Sequence, residues 1–283
     1  QEWYSDGYVV AYYPAAIVDD LKADYISYGL PICMEADIWY YNTEAFPDGA
    51  PVSNWWDIVE MDENGESIYN LYMHDASNLN TASMLSNLVL HSDELEAAYK
   101  EKYGTDIEYT YDASELGVEE NNAGFEWMYR YLQCNYVVFT DSDEIFATVN
   151  LSTAEDPALG FGSGIKLGDC LESGMNVAYV TTLSPFNGFV RAKYVYICTN
   201  TDNPAAAHLL TLYMMGGDDG QGAGYGAYVD RTGCYATRIS HDDLAYNEFE
   251  LDDLNVLPTD LDFVYNNYLD IQDFWTYYAD IFN

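Results

Sequence analysis

The sequence predicts an α/β fold, and three observations predict it. Short runs rich in β-branched and aromatic residues alternate with helical segments, most helical segments open on a capping residue, and the 283-residue chain is 49% hydrophobic and 16% aromatic, ample for a core. Alternation of this kind argues for largely parallel strand pairing. No internal repeat or low-complexity tract interrupts it.

Taken in order, residues 1–30 alternate aromatic and apolar positions, turn at Asp6-Gly7 and Pro14, and contain no strand-helix-strand unit. Two short strands are expected between Tyr25 and Ile38, around Gly29 and Pro31. Trp39-Tyr40-Tyr41-Asn42-Thr43 reads as a buried strand ending in a turn. A Pro/Gly loop (Pro47, Gly49, Pro51) leads from it to a helix start, Trp55-Trp56, capped by Ser53 or Asn54. Asp62-Glu63-Asn64-Gly65-Glu66 crowds oxygen ligands around a glycine, but its spacing fails the calcium-loop pattern and suits a polar hairpin turn.

Helices then dominate. Ser77-Asn78 caps an apolar helix through Thr81, Met84, Leu85 and Leu88, and Ser92 with Asp93 and Glu94 starts a second that ends near Gly104. Phe125, Met128, Tyr129 and Leu132 fall on one face of a third, entered through Glu119–Asn122. Residues 135–140 form a strand candidate, and Asp141-Ser142-Asp143-Glu144 opens the next helix. Residues 176–182 and 194–198 are two further strands. Asn203-Pro204 opens an apolar helix that stops at Gly216-Gly217, and the segment to Gly226 reads as a loop.

Charge narrows the partners. Nine Lys+Arg against 48 Asp+Glu leave a net charge of −39. Such a field disfavours nucleic acid and other polyanions. It suits a solubilising or salt-adapted surface, or attraction of a cationic ligand, and composition does not separate these. No apolar run approaches the ~18 residues of a membrane span, and no basic segment followed by an apolar one marks a leader, so the expectation is a soluble chain already processed or truncated. The five cysteines, Cys33, Cys134, Cys170, Cys198 and Cys234, show no metal-binding spacing, which leaves one or two disulfides open but unassigned.

Catalysis finds little support. His74, His91, His208 and His241 are isolated in sequence, Gly162-Ser163-Gly164 lacks the strand-elbow-helix context of a hydrolase nucleophile, and carboxylates are too abundant for any pair to be informative. The expectation is a protein that is not an enzyme, with no cofactor and no metal site.

The segment from Tyr41-Asn42 to Ser53-Asn54-Trp55-Trp56-Asp57 resembles the one by which extracellular solute-binding proteins of ABC importers pass from their first lobe to their second. Asn203-Pro204-Ala205-Ala206-Ala207-His208-Leu209-Leu210 resembles the helix that follows the return crossing. The runs 97–104 and 184–188, and the tail from Asp260 to Trp275, are similar to the iron/thiamine/polyamine branch. The resemblance covers roughly residues 30–283. It implies a type II periplasmic-binding-protein-like α/β fold, two α/β lobes joined by hinge strands. Residues 1–40 and 186–259 would form what remains of lobe 1, and 41–185 with 260–283 lobe 2. The β-α units that open the first lobe in that family have no counterpart in residues 1–30, so most of that lobe is expected to be missing.

The resemblance further implies an extracytoplasmic, bacterial receptor. It would be a monomer that captures a small-molecule solute by hinge closure and delivers it to ABC permease subunits, meeting a membrane only through an N-terminal lipid anchor. In such a receptor aromatic faces, helix N-termini and a few polar side chains hold the solute. Groups so placed are Tyr12 and Tyr13 at a strand end, and Glu35, Asp37 and Trp39 at the crossing. Asp75 with Ser77 and Ser142 with Asp143 stand at helix starts, and Ser184, Asn187 and Tyr225 near the return crossing. Each also has a structural reading as a cap, a core aromatic or a solvated acid. With these acids, 29 Tyr and 6 Trp, a cationic or polyhydroxylated organic solute is favoured over an anion. The branch's iron binders carry a tyrosine pair in the second lobe that 159–164 lacks, which disfavours iron. The alternatives are a non-transport surface binding or adhesion module on the same fold, and an extracellular enzyme.

Overall fold

The computed structural model describes residues 2–26, 29–114 and 116–282. In chain order the elements are α1 (Glu2–Ser5), β1 (Val9–Val10), β2 (Leu30–Asn42), α2 (Trp55–Ile58), β3 (Asn70–Met73), α3 (Leu79–Leu90), α4 (Ser92–Tyr103), α5 (Ala123–Gln133), β4 (Tyr136–Val138) and α6 (Ser142–Asn150). Then follow β5 (Ala158–Ser163), α7 (Lys166–Glu172), β6 (Val177–Tyr179), β7 (Gly188–Val195), β8 (Ile197–Cys198), α8 (Pro204–Met214), α9 (Ala223–Val229), β9 (Cys234–Ala236), β10 (Val256–Pro258) and α10 (Leu261–Phe282). The chain forms two compact units. One comprises residues up to Ala36 with Val190–Asp253, the other Asp37–Phe189 with Leu254 onward.

The larger unit is a sheet with helices on both faces. β3 pairs in parallel with β4 and with β5, while β2 runs antiparallel to β5 and β6. Pairing is therefore more mixed than the strand-helix alternation predicts. The reason is β2, a single strand of thirteen buried residues rather than two short ones. Ser27 and Tyr28, inside the first expected strand, lie outside the described residues. Glycines bring α6 onto the sheet: a Cβ at Gly162 would come within 2.8 Å of the Phe146 ring. The opposite face carries an aromatic core in which Trp39 packs edge-on against Trp55 and Trp127 at centroid distances of 6.4 and 6.5 Å. Fully burying rings of this size contributes about 1.5–3 kcal/mol each or more. Trp55 Nε1 donates to Phe186 O and Trp127 Nε1 to Trp55 O, so the indoles are also wired to the backbone.

Local chemistry sets the helix ends. Asn54, Asn78, Asn122 and Asp141 cap α2, α3, α5 and α6 through their side chains, and Gly104 ends α4 in the left-handed conformation. At 61–67 the chain forms a hairpin turn, with Gly65 N–H donating to Asp62 O and Met61 bridging Ser67.

In the smaller unit, the first half of β2 pairs antiparallel with β9, and β1 pairs with β8. Its core gathers Ile17, Leu21, Leu30, Ile32, Met215, Tyr225 and Val229. The segment expected as a loop up to Gly226 includes the start of α9. β7 begins six residues before the expected strand at Tyr194.

Candidate functional site

In the larger unit β5, β3 and β4 run parallel side by side, so their carboxyl ends lie at one edge. Crevices at such edges are where open α/β sheets bind ligands. β3 ends at Met73 and leads into His74 and Asp75, β4 leads through Asp141 into Ser142 and Asp143, and β5 ends at Ser163, two residues before α7 approaches with Ile165.

Hydrogen bonds tie the three strand ends together. His74, buried, sets Nδ1 2.8 Å from Phe139 O and Nε2 2.8 Å from Ser142 Oγ. A carbonyl only accepts, so Nδ1 carries the proton, and in the neutral imidazole Nε2 accepts from the Ser142 hydroxyl. Thr81 Oγ1 donates to His74 O at 3.0 Å, fixing α3 to the same point. Lys166 Nζ lies 2.7 Å from Asp143 Oδ1, and that carboxylate holds the ammonium above the usual lysine range. Asp75 Oδ1 accepts from Ser77 N at 2.9 Å. Ser163 Oγ is buried with no hydrogen-bond partner.

The edge is rich in acceptors. The hydroxyl proton of Ser142 is committed to His74, which leaves the lone pairs of this half-buried oxygen as acceptors; Asp75 and Asp143 are exposed, and Asp143 already holds Lys166. Nucleophile and base stand in hydrogen-bond geometry, but the imidazole is oriented by a carbonyl rather than a carboxylate. Among the described residues no group of His, Cys, Asp and Glu is arranged to hold a metal ion.

Thus Asp75, Ser77, Ser142 and Asp143 share one edge, joined by His74, Ser163 and Lys166, which sequence reasoning did not select. The signal for His74 was its place directly before Asp75 at a strand end. The other expected residues lie elsewhere. Trp39 is in the aromatic core. Asn187 Oδ1 accepts from Leu183 N at 2.7 Å and Nδ2 donates to Leu254 O at 2.6 Å, a backbone latch. Ser184, in a cis bond to Pro185, pairs its backbone with Ser53 and Trp55. Asp37 is buried on β2.

In the smaller unit Tyr225 is fully buried, its hydroxyl accepting from Thr237 N and Arg238 N. Tyr13 donates to Gly29 O, and Tyr12 stacks on His208 at 3.9 Å. Glu35 is buried and bound to Arg191 at 2.7 Å and Lys193 at 3.0 Å, so resident cations already neutralise an acid expected to attract one.

No protein-family model matches the chain and no curated protein does. Solved structures do, and they place its architecture among α/β folds of the periplasmic-binding-protein type. The PBP MotA from A. tumefaciens B6 in complex with glucopine matches at TM-score 0.62 and 11% identity, covering 100% of this chain and 80% of that one. AgtB from A. tumefaciens R10 in complex with agropinic acid matches at 0.60 and 11%, covering 98% and 78%. Iron-bound HitA from Pseudomonas aeruginosa matches at 0.59 and 11%, covering 96% and 78%. At identities this low the likeness establishes the fold alone. No helix among the described residues is long and apolar enough to cross a membrane.

Proposed function

We propose that this protein is an extracytoplasmic solute-binding component of an ABC importer, taking a small organic solute at the carboxyl edge of β5, β3 and β4 and delivering it to a permease. The observation that carries the reading is the tie from His74 to Ser142, which holds a serine oxygen as an acceptor on the strand edge that also carries the exposed carboxylate of Asp75 and the Asp143–Lys166 pair. Such an edge matches a solute rich in N–H or O–H donors, a cationic or polyhydroxylated compound. Comparable folds that hold glucopine and agropinic acid support small organic solutes in general.

A thermal-shift panel of polyamines, thiamine and its precursors, ferric salts and sugars tests this. A ligand at ~100 times its dissociation constant stabilises the folded state by about 2.7 kcal/mol. A shift with one class, lost in Ser142→Ala and Asp75→Asn, is expected. Shifts that persist in both variants would remove the solute from this edge.

One observation favours a second reading, a surface binding or adhesion module built on the same fold. On α8 the side chains of Leu209, Leu210 and Tyr213 are 68%, 57% and 58% exposed, and no charged residue falls between Asn203 and Gly217. That reading predicts silence across the solute panel.

A further inference from the structure

Away from the carboxyl edge, helices α2, α4 and α5 of the larger unit enclose a pocket of about 330 Å³. Tyr99 and Tyr103 stand four apart on α4, and Arg130 and Gln133 three apart on α5, so each pair shares one helix face. Trp56 of α2 and Thr110, between α4 and α5, complete the lining that matters here. The rings form a continuous wall. Trp56 meets Tyr99 edge-on at a centroid distance of 5.0 Å, and Tyr99 lies 4.5 Å from Tyr103. Trp56 is buried and Tyr103 is 38% exposed, so the wall runs from the core to the surface.

Charge at the pocket is already spent. The Arg130 guanidinium lies 5.3 Å from the Trp56 ring and 5.4 Å from the Tyr99 ring, taking the place on those rings that a cationic ligand would use. Its Nε is 2.7 Å from Oε1 of Glu126, a fully buried carboxylate. Lys102 Nζ sits 4.9 Å from the Tyr103 ring centroid, paired with Asp57 and, at 2.6 Å, with Glu60. Two cations thus face three carboxylates, and every one of them is in an ion pair. The arrangement offers an anion no surplus positive charge. What remains is polar and uncharged. Thr110 Oγ1 donates to Glu126 Oε1 at 2.9 Å and Gln133 Nε2 to Tyr129 O at 3.2 Å, which leaves the threonine oxygen and the glutamine carbonyl as acceptors.

We propose that this pocket binds a neutral sugar, one ring or the end of a glycan chain. A sugar ring carries an apolar C–H face that lies against aromatic carbon and a rim of hydroxyls that donate to acceptors such as those of Thr110 and Gln133. The volume is at the small end of the roughly 300–1,000 Å³ of ligand pockets, which suits a guest of that size. Three helices hold the rings and the acceptors, so the site is formed before the sugar arrives. None of its lining residues belongs to the carboxyl edge, and the two sites stand or fall separately.

Calorimetric titration of the full chain with glucose, maltose, cellobiose and methyl mannoside, with choline and acetate as charged probes, tests it. Saturable binding of at least one of the sugars is expected. Tyr103→Ala is expected to weaken it about tenfold and Gln133→Ala about fivefold. Both positions are exposed, and circular dichroism checks that each variant keeps its fold. No heat from any of the four sugars up to about 10 mM, where a dissociation constant near 1 mM would be saturated, overturns the proposal. So does sugar binding that survives both substitutions, or that is lost in Ser142→Ala instead, which would place the sugar at the carboxyl edge. Choline or acetate binding that Tyr103→Ala removes would overturn the neutral class.

Discussion

Arg238 Nε donates to Asp20 Oδ2 at 2.7 Å, joining residues 218 positions apart in sequence. The guanidinium is 2% exposed and spends its remaining donors on backbone: Nη1 on Met215 O and Gly217 O, Nη2 on Asp218 O. It thereby satisfies carbonyls left over at the end of α8. Asp20 accepts in turn from Ser240 N and Oγ. Lysine keeps the charge but has no planar fork to reach four acceptors. Arg238→Ala is expected to cost about 3–5 kcal/mol because it strands buried partners, and Arg238→Lys a substantial part of that. Urea unfolding measures it, and a loss for Arg238→Ala within about 0.5 kcal/mol, the range of ordinary surface substitutions, would refute the clamp.

Asp57 links stability to pH. Its Oδ2 accepts from Ser53 N and Asn54 N, closing the capping box of α2, and its Oδ1 meets Lys102. Burial alone would raise the carboxyl, but hydrogen bonds from Lys102 and from the Ser53 and Asn54 amides outweigh it and hold Asp57 below the usual range. Burial would lower Lys102, yet Asp57 and Glu60 hold it above the lysine range. A depressed carboxyl contributes stability above its unfolded value, ~3.9, and loses it as pH falls through the folded value. A raised ammonium contributes below ~10.4 and loses its share as pH rises through its folded value. The pair is at full strength between about pH 4 and 10. Asp57→Asn is expected to lose about 1 kcal/mol at pH 7 and progressively less toward pH 2. Melting curves across that range check it, and an equal loss at both ends would contradict the linkage.

What the sequence made legible follows the range of the interactions. Asn78, Asn122 and Asp141 cap helices through amides two or three residues ahead, and Gly104 ends α4 through its own backbone. Such chemistry is local and readable. β2 was not, because Glu35 and Asp37 interrupt its apolar pattern although both are buried, Glu35 against Arg191 and Lys193. At the carboxyl edge, Asp75, Ser77, Ser142 and Asp143 stood out as polar groups at helix starts. His74 did not, since Ser142 lies 68 positions away. Glu35 read as a bare acid because Arg191 lies 156 positions downstream.

The cysteines give a third prediction. All five are free thiols, with only Cys198 exposed. Burial pushes Cys170 up to about 11 and raises Cys134, as it does Cys33 and Cys234. Thiolate is the reactive form, so buried thiols with raised values react slowly. Titration of the folded protein with a chromogenic disulfide at pH 7.5, roughly one unit below an ordinary thiol's value, is expected to show one fast thiol, abolished in Cys198→Ser, and four more only in denaturant. Two or more fast thiols in the native protein would show that the buried set is accessible.

Neighbouring residues at the start of α6 separate stability from binding. Asp141 is the cap, its Oδ1 accepting from Asp143 N at 2.9 Å, whereas Ser142 points its hydroxyl at His74. Asp141→Ala is expected to cost about 1 kcal/mol of stability with solute affinity retained. Ser142→Ala leaves that cap in place, but it removes the hydroxyl acceptor and leaves His74 Nε2 without its donor. A solute that shifts the melting temperature of the parent protein is therefore expected to bind Ser142→Ala about tenfold more weakly, the worth of one hydrogen bond to a charged partner. Calorimetry on the two variants decides the matter. If Asp141→Ala loses the solute and Ser142→Ala keeps it, recognition belongs to the helix terminus and its capping carboxylate rather than to the serine that His74 orients.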